Sequence, residues 1–363
     1  MKVTYPHMGT INIVLNALLR ELNLEIVPPP PTSKKTLELG TAHGPEFACL
    51  PLKITLGNFL EALEQGAEIL IMAGGCGPCR FGYYAQVQRE ILTDLGHNST
   101  MLILEPPQTG WIDFLGKLRW LLGGLPVRAF QRGWTLGMAK ARAIDCVEEE
   151  LERTRPVEAL HGVGNAEFNR FLNQLDQATT LAETAKLTKT YQSLLRQLQE
   201  GRRASIKVGV VGEIYTVLEP FSNQDLLQRL GALGVEVQRK LRLSHWISEH
   251  LTLNSRKRRQ FRQEITALAK PYLQYFVGGH GLESVAHSIQ LCQEGASGII
   301  QVAPLTCMPE IVAETVLPQV SKDIGKPILT LFVDEQTAPA GLQTRLEAFL
   351  DLLPLNDISQ HSS

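Results

Sequence analysis

The sequence predicts an α/β protein of two domains, each built on a mostly parallel sheet covered by helices, with a helical segment connecting them. Three observations carry this. Short apolar runs alternate with helix-spaced segments at both ends of the chain, the pattern of parallel sheets buried on both faces. From about 145 to 203 the alternation stops and only helical patterns remain. The 363 residues, 44% apolar and 20% charged, suffice for two cores of ordinary size.

The elements follow in order. Residues 2–5 read as a strand, 11–21 as a helix, and 25–27 as a second strand ending at four prolines. Residues 53–65 fit a helix, with Leu56, Phe59, Leu60 and Leu63 at helical spacing. A strand over 68–73, a helix over 80–95 and a strand over 100–104 complete this part. Gly66 and Gly96 stand just past helix ends, where a left-handed cap residue is favoured. Residues 1–144 thus form an N-terminal α/β domain containing Cys49, Cys76 and Cys79. Helices over 148–155, 166–175 and 181–200 make 145–205 a helical insert or linker.

Strand–helix alternation then resumes, and 206–363 form a C-terminal α/β domain containing Cys307. Strands are expected over 206–211, 275–277, 298–303 and 327–333, and helices over 226–233, 255–269, 281–293, 309–320 and 341–353. Gly234 is expected to cap the helix over 226–233. The halves also echo each other. Glu64-Gln65-Gly66-Ala67 precedes the strand leading to Cys76, and Gln293-Glu294-Gly295-Ala296 precedes the strand leading to Cys307. In both places a proline, Pro78 or Pro309, stands two residues beyond the cysteine.

A formal net charge of −2 gives no global electrostatic argument for nucleic acid. The one basic run, Arg256-Lys257-Arg258-Arg259, reads as the solvated face of a helix. No stretch approaches the ~18 apolar residues of a membrane span. The first residues lack the apolar region of a signal peptide, so a cytoplasmic location is expected, where thiols stay reduced.

That location leaves six cysteines to explain. Cys76 and Cys79 form a Cys-Gly-Pro-Cys pair just after an apolar run. Their spacing lets both sulfurs face one metal or cluster, and the surrounding glycines permit the tight backbone. Alone, the pair also suits a redox dithiol, half a zinc site or an incidental loop. Cys49 and Cys307 lie beside prolines at element boundaries, and Cys307 falls beyond a strand's carboxyl end, where open α/β sheets place ligands. A cleft between two such domains would gather both sets. Cys292 shares an apolar helix stripe with Val285 and Ile289 and reads as a core thiol, whereas Cys146 is a possible further ligand.

Three polar clusters follow expected strands: Gly212-Glu213-Ile214-Tyr215, Gly278-Gly279-His280-Gly281 and Asp334-Glu335-Gln336-Thr337. They read either as the lining of that cleft or as caps and turns. His43 and His280, beside glycines, are candidate ligands or proton donors. No phosphate-cradling loop with its Lys-Ser/Thr is present, and no dinucleotide fingerprint follows the first strand.

Together, residues 47–53, Gly77-Pro78-Cys79-Arg80-Phe81-Gly82-Tyr83-Tyr84, the Gly212 cluster with Glu219-Pro220-Phe221, the Gly278 cluster, Cys307-Met308-Pro309-Glu310 and the Asp334 cluster with 344–349 resemble one family. It is the 2-hydroxyacyl-CoA dehydratase D-component family, in its CoA-enzyme-activase-related or double-cubane-cluster branch. The matches run from about residue 43 to 350. The resemblance implies two flavodoxin- or Rossmann-like domains holding an iron–sulfur centre in the cleft between them. That centre is a 4Fe–4S cluster or a linked double cubane of 8Fe–9S composition. Its implied cofactor-binding and metal ligands are Cys49, Cys76, Cys79 and Cys307, with Cys146 a possible fifth.

The implied function is an iron–sulfur reductase or electron-transfer component reduced by a separate ATP-hydrolysing activase, with a small-molecule substrate and a possible homodimer. A 2-hydroxyacyl-CoA dehydratase subunit and a non-catalytic zinc or thiol-binding protein are the rival expectations.

Overall fold

The computed structural model describes residues 1–75, 78–104, 116, 119–121, 123–204, 206–251 and 255–353. It is an α/β protein with two four-stranded, all-parallel sheets. The first contains β1 (Lys2–Thr4), β2 (Glu25–Ile26), β3 (Ile69–Ala73) and β4 (Thr100–Leu104), in the order β2-β1-β3-β4. The second contains β5 (Ile206–Gly212), β6 (Val235–Gln238), β7 (Gly298–Pro304) and β8 (Ile328–Val333), in the order β6-β5-β7-β8. The two sheets therefore share one topology. The strands leading to Cys76 and Cys307, β3 and β7, hold equivalent places in them.

Strand burial explains why these runs are so apolar. Every residue of β7 is buried, as are the first four of β3, so neither face of the strand meets water. Gly66, Gly96 and Gly234 adopt the left-handed conformations anticipated at helix ends.

The helices of the first half are α1 (Ile11–Glu21), α2 (Lys34–His43), α3 (Leu50–Glu64) and α4 (Tyr84–Asp94), the last preceded by a 3₁₀ turn over Arg80–Tyr83. The helical segment comprises α5 (Val127–Thr154), α6 (Val163–Gln177) and α7 (Leu181–Leu198). Helix α5 starts well before residue 148 and runs through the boundary drawn at 144/145. Its early turns were illegible because Gly133 and Gly137 interrupt them. A Cβ on Gly133 would lie 2.9 Å from Leu18 Cα, and one on Gly137 2.9 Å from the Val14 carbonyl oxygen, so small residues are what let α1 pack close.

The second half contributes α8 (Ile214–Leu218), α9 (Leu226–Ala232), α10 (Leu243–Leu251), α11 (Ser255–Ala269), α12 (Gly281–Gln293), α13 (Met308–Ile324) and α14 (Pro339–Leu350). The strand expected over 275–277 does not form. Tyr275 and Phe276 are exposed there, and the chain runs from α11 to α12 as a loop.

One apolar cluster joins the halves. Met8, Val14, Leu50, Ile54, Met138 and Ala141 pack with Val210, Tyr215, Leu230, Val302 and Leu331. Buried ion pairs reinforce the junction. The Arg239 guanidinium lies 2.7 Å from Glu152 and 2.5 Å from Glu148, both on α5. Among the described residues, no helix is long and apolar enough to cross a membrane.

Candidate functional site

Three thiols begin helical segments. Cys49 occupies the cap position of α3, Cys307 that of α13, and Cys79 that of the 3₁₀ turn, all with extended backbone. A proline follows Cys49 and Cys307 by two residues, in the first helical turn, where its missing N–H costs nothing. The Cys-x-Pro spacing is thus a helix-start signal that also places the thiol at the mouth of each sheet. Cys76-Gly77-Pro78 repeats it, although Cys76 lies outside the described residues.

Arg80 draws the three segments together. Its guanidinium donates to the Phe47 carbonyl at 2.8 Å and also to the Thr306 carbonyl. Phe47 lies two residues before Cys49, Thr306 directly precedes Cys307, and Arg80 itself directly follows Cys79. The Cys49 thiol points at the same Thr306 carbonyl, 3.8 Å away. From the other side the 278–281 loop presses in. A Cβ on Gly278 would lie 2.8 Å from Pro78 Cγ and 3.0 Å from the Cys79 nitrogen. One on Gly279 would lie 3.1 Å from Pro309 and 3.7 Å from the Cys79 sulfur. These glycines, at φ +91° and +46°, bring backbone against both cysteine segments where a side chain would not fit.

Burial pushes the Cys79 thiol up; the Phe81 N–H opposes this, and Glu213 and Cys49 add to the rise. Burial likewise pushes Cys307 far up, reinforced by Glu213 and Glu310 and opposed by the Glu310 N–H. Cys49 and Glu213 act on both groups, which places the three thiols and this carboxylate in one electrostatic neighbourhood. Without a cation, Cys79 and Cys307 stay protonated; ligation requires both to lose their protons.

The polar clusters divide. Glu213 caps α8, accepting from the backbone N–H groups of Tyr215 at 3.0 Å and Thr216 at 2.9 Å. Asp334 closes a turn, accepting from the Gln336 N–H at 3.0 Å and the Thr337 hydroxyl at 2.8 Å. Glu335 instead reaches across to Lys53 of α3, 2.7 Å away, whose ammonium also donates to the Glu46 carbonyl. Sequence reasoning missed Arg80 and Lys53 as organisers, since a lone basic residue carries no signal of which carbonyl or carboxylate it will meet.

Behind Cys307, Glu310 is fully buried and accepts from the Ser284 hydroxyl at 2.9 Å and the Gln301 amide at 2.8 Å. Burial pushes its carboxyl up to about 7. His280 caps α12 with its Nε2 3.7 Å from Glu283, and His43 ends α2 at the surface.

Neither remaining cysteine joins the group. Cys146 is exposed on α5, with Asp145, Glu149 and Arg242 as its charged neighbours. Cys292 is buried with Val211, Leu291, Ala296 and Ile299. It lies at the far end of α12 from Gly281, roughly 16 Å along the axis at about 1.5 Å per residue.

Thiolates ligate zinc and iron–sulfur clusters alike, and thiols contributed by both halves of the chain suit a bound inorganic group. Among the described residues, no three Cys, His, Asp or Glu side chains form a group able to hold a single metal ion. No protein-family model matches the chain, and no curated protein matches it.

Proposed function

We propose that this protein is an iron–sulfur reductase or electron-transfer component of the 2-hydroxyacyl-CoA dehydratase type. It would hold one 4Fe–4S cluster between its domains through Cys49, Cys76, Cys79 and Cys307. The observation carrying this reading is that the chain segments of Cys49, Cys79 and Cys307, from the two halves, are drawn together by the Arg80 guanidinium. Cys76 stands three positions before Cys79 and completes a set of four by sequence. The positions of Cys146 and Cys292 favour a single cubane over the linked double cubane, which draws on six thiolates.

When bound, such a cluster supplies one-electron transfer at a potential set by burial and by hydrogen bonds to its sulfurs. The chain's own contribution is to bury two of the three described thiols, direct the Phe81 and Glu310 N–H groups at sulfur, and surround them with backbone that excludes water. Because the sequence has no ATP-binding motif, the low-potential electrons would come from a separate ATP-hydrolysing iron–sulfur activase in the cytoplasm, with a small molecule as final acceptor. Bleaching of the chromophore by a 2-hydroxyacyl-CoA would identify a dehydratase subunit instead of a reductase.

Serine substitutions test the ligand set. Cys49→Ser and Cys307→Ser, in opposite domains, should each lower iron content sharply after anaerobic purification, while Cys146→Ser and Cys292→Ser leave it unchanged. Iron loss in Cys292→Ser with retention in Cys307→Ser would overturn the assignment.

A further inference from the structure

We propose that Arg80 is the latch of the thiol site, a positioning residue whose two main-chain bonds keep the loops of Cys49 and Cys307 closed over it. An exposed arginine is ordinarily a solvated charge. This one instead bonds two carbonyls from loops 33 and 226 positions away in sequence, the second in the other domain. Each carbonyl belongs to a residue within two positions of a cysteine. A planar guanidinium holds two N–H arms apart in a fixed fork, so it meets two separated acceptors at a set spacing, whereas an ammonium's three donors all leave one nitrogen. Because Arg80 reads backbone rather than side chains, its grip reports the position of the loops themselves. Its exposure to water leaves the grip able to release, as entry of any group into the site requires.

Other bonds join the halves independently of Arg80: Lys53 pairs with Glu335 while also donating to the Glu46 carbonyl, and the Gly9 N–H donates to Glu219. Losing Arg80 therefore loosens the two cysteine loops without parting the halves.

The inference rests on the same thiols as the proposed function but not on what they hold, so its test uses the full-length chain stripped of metal. Alkylation by iodoacetamide is followed cysteine by cysteine by mass spectrometry, beside the thermal midpoint. Cys49 and Cys307, 7% and 5% exposed, should react slowly in the native chain. In Arg80→Ala both should react about tenfold faster or more, the factor that about 1.4 kcal/mol makes in an opening equilibrium. Arg80→Lys should fall between. Cys292, 9% exposed and at the far end of α12, should keep its rate and serves as the internal control. Unchanged rates at Cys49 and Cys307, or a parallel rise at Cys292, would overturn the proposal. Iron content plays no part in this outcome, so an error about the cluster and an error about the latch give different results.

Discussion

Glu283, near the start of α12, shows how individual side chains set the behaviour of this half of the protein. Burial pushes its carboxyl up to about 8, with further rises from Glu249 on α10 and Glu310 on α13, opposed by Arg262 on α11. On its own helix His280 stands 3.7 Å away, and His287 is pushed down to about 3 by burial, so it stays neutral at pH 7. A carboxyl raised in this way binds its proton more tightly folded than unfolded. Its contribution to stability is therefore fully present below the ordinary carboxylate pKa, about 4.5, and is lost as pH rises through about 8. Glu283→Gln should flatten the fall in thermal midpoint between pH 5 and 8. Parallel curves for the two proteins would show that Glu283 is not the titrating group. The sequence showed the apolar stripe that buries Cys292. It could not show these carboxyls, because Glu249, Glu283 and Glu310 meet only through tertiary packing.

At the scale of elements, most of the fold was legible. The helices over 11–21 and 281–293 and the strand over 100–104 form with the anticipated bounds, because each joins strong periodicity to clear end signals. Helix α2 was missed, although Ser33 and Thr36 form a reciprocal capping box at its start. Strand β6 was missed because its four residues are too short to show a period. The expected strand over 275–277 failed because a run of aromatics ahead of glycines resembles a strand when nothing shows that they face solvent. The loop it became has a definite task, since Gly278 lies against Pro78 and Cys79. Gly278→Ala adds a Cβ 2.8 Å from Pro78 at φ +91°. Gly295→Ala, at φ +99° with open space, carries only the backbone cost. The first should lose stability by about 1–3 kcal/mol more than the second in urea denaturation. Equal losses would mean that the loop does not press on the cysteine segment.

Across the whole molecule, two sheets of one topology are joined through a shared apolar cluster, and the residues that unite them were invisible to periodicity. The paired Glu-Gln and Gln-Glu runs ahead of β3 and β7 did announce the internal echo, and the Cys-x-Pro spacing marked where each thiol would stand. The apolar cluster from Met8 to Leu331 and the buried Arg239–Glu152 pair then fix the two halves so that Cys49 and Cys79 meet Cys307. Burial would push Glu152 up, but the Arg239 and Arg242 guanidiniums hold it below its usual range, so this junction stays charged and paired. On the proposed function, four thiolates from the two halves would hold one iron–sulfur cluster. Iron, acid-labile sulfide and zinc determined on the anaerobically purified full-length chain test it most directly. About four irons and about four sulfides per chain are predicted, with little zinc; a colourless protein carrying stoichiometric zinc would contradict the claim.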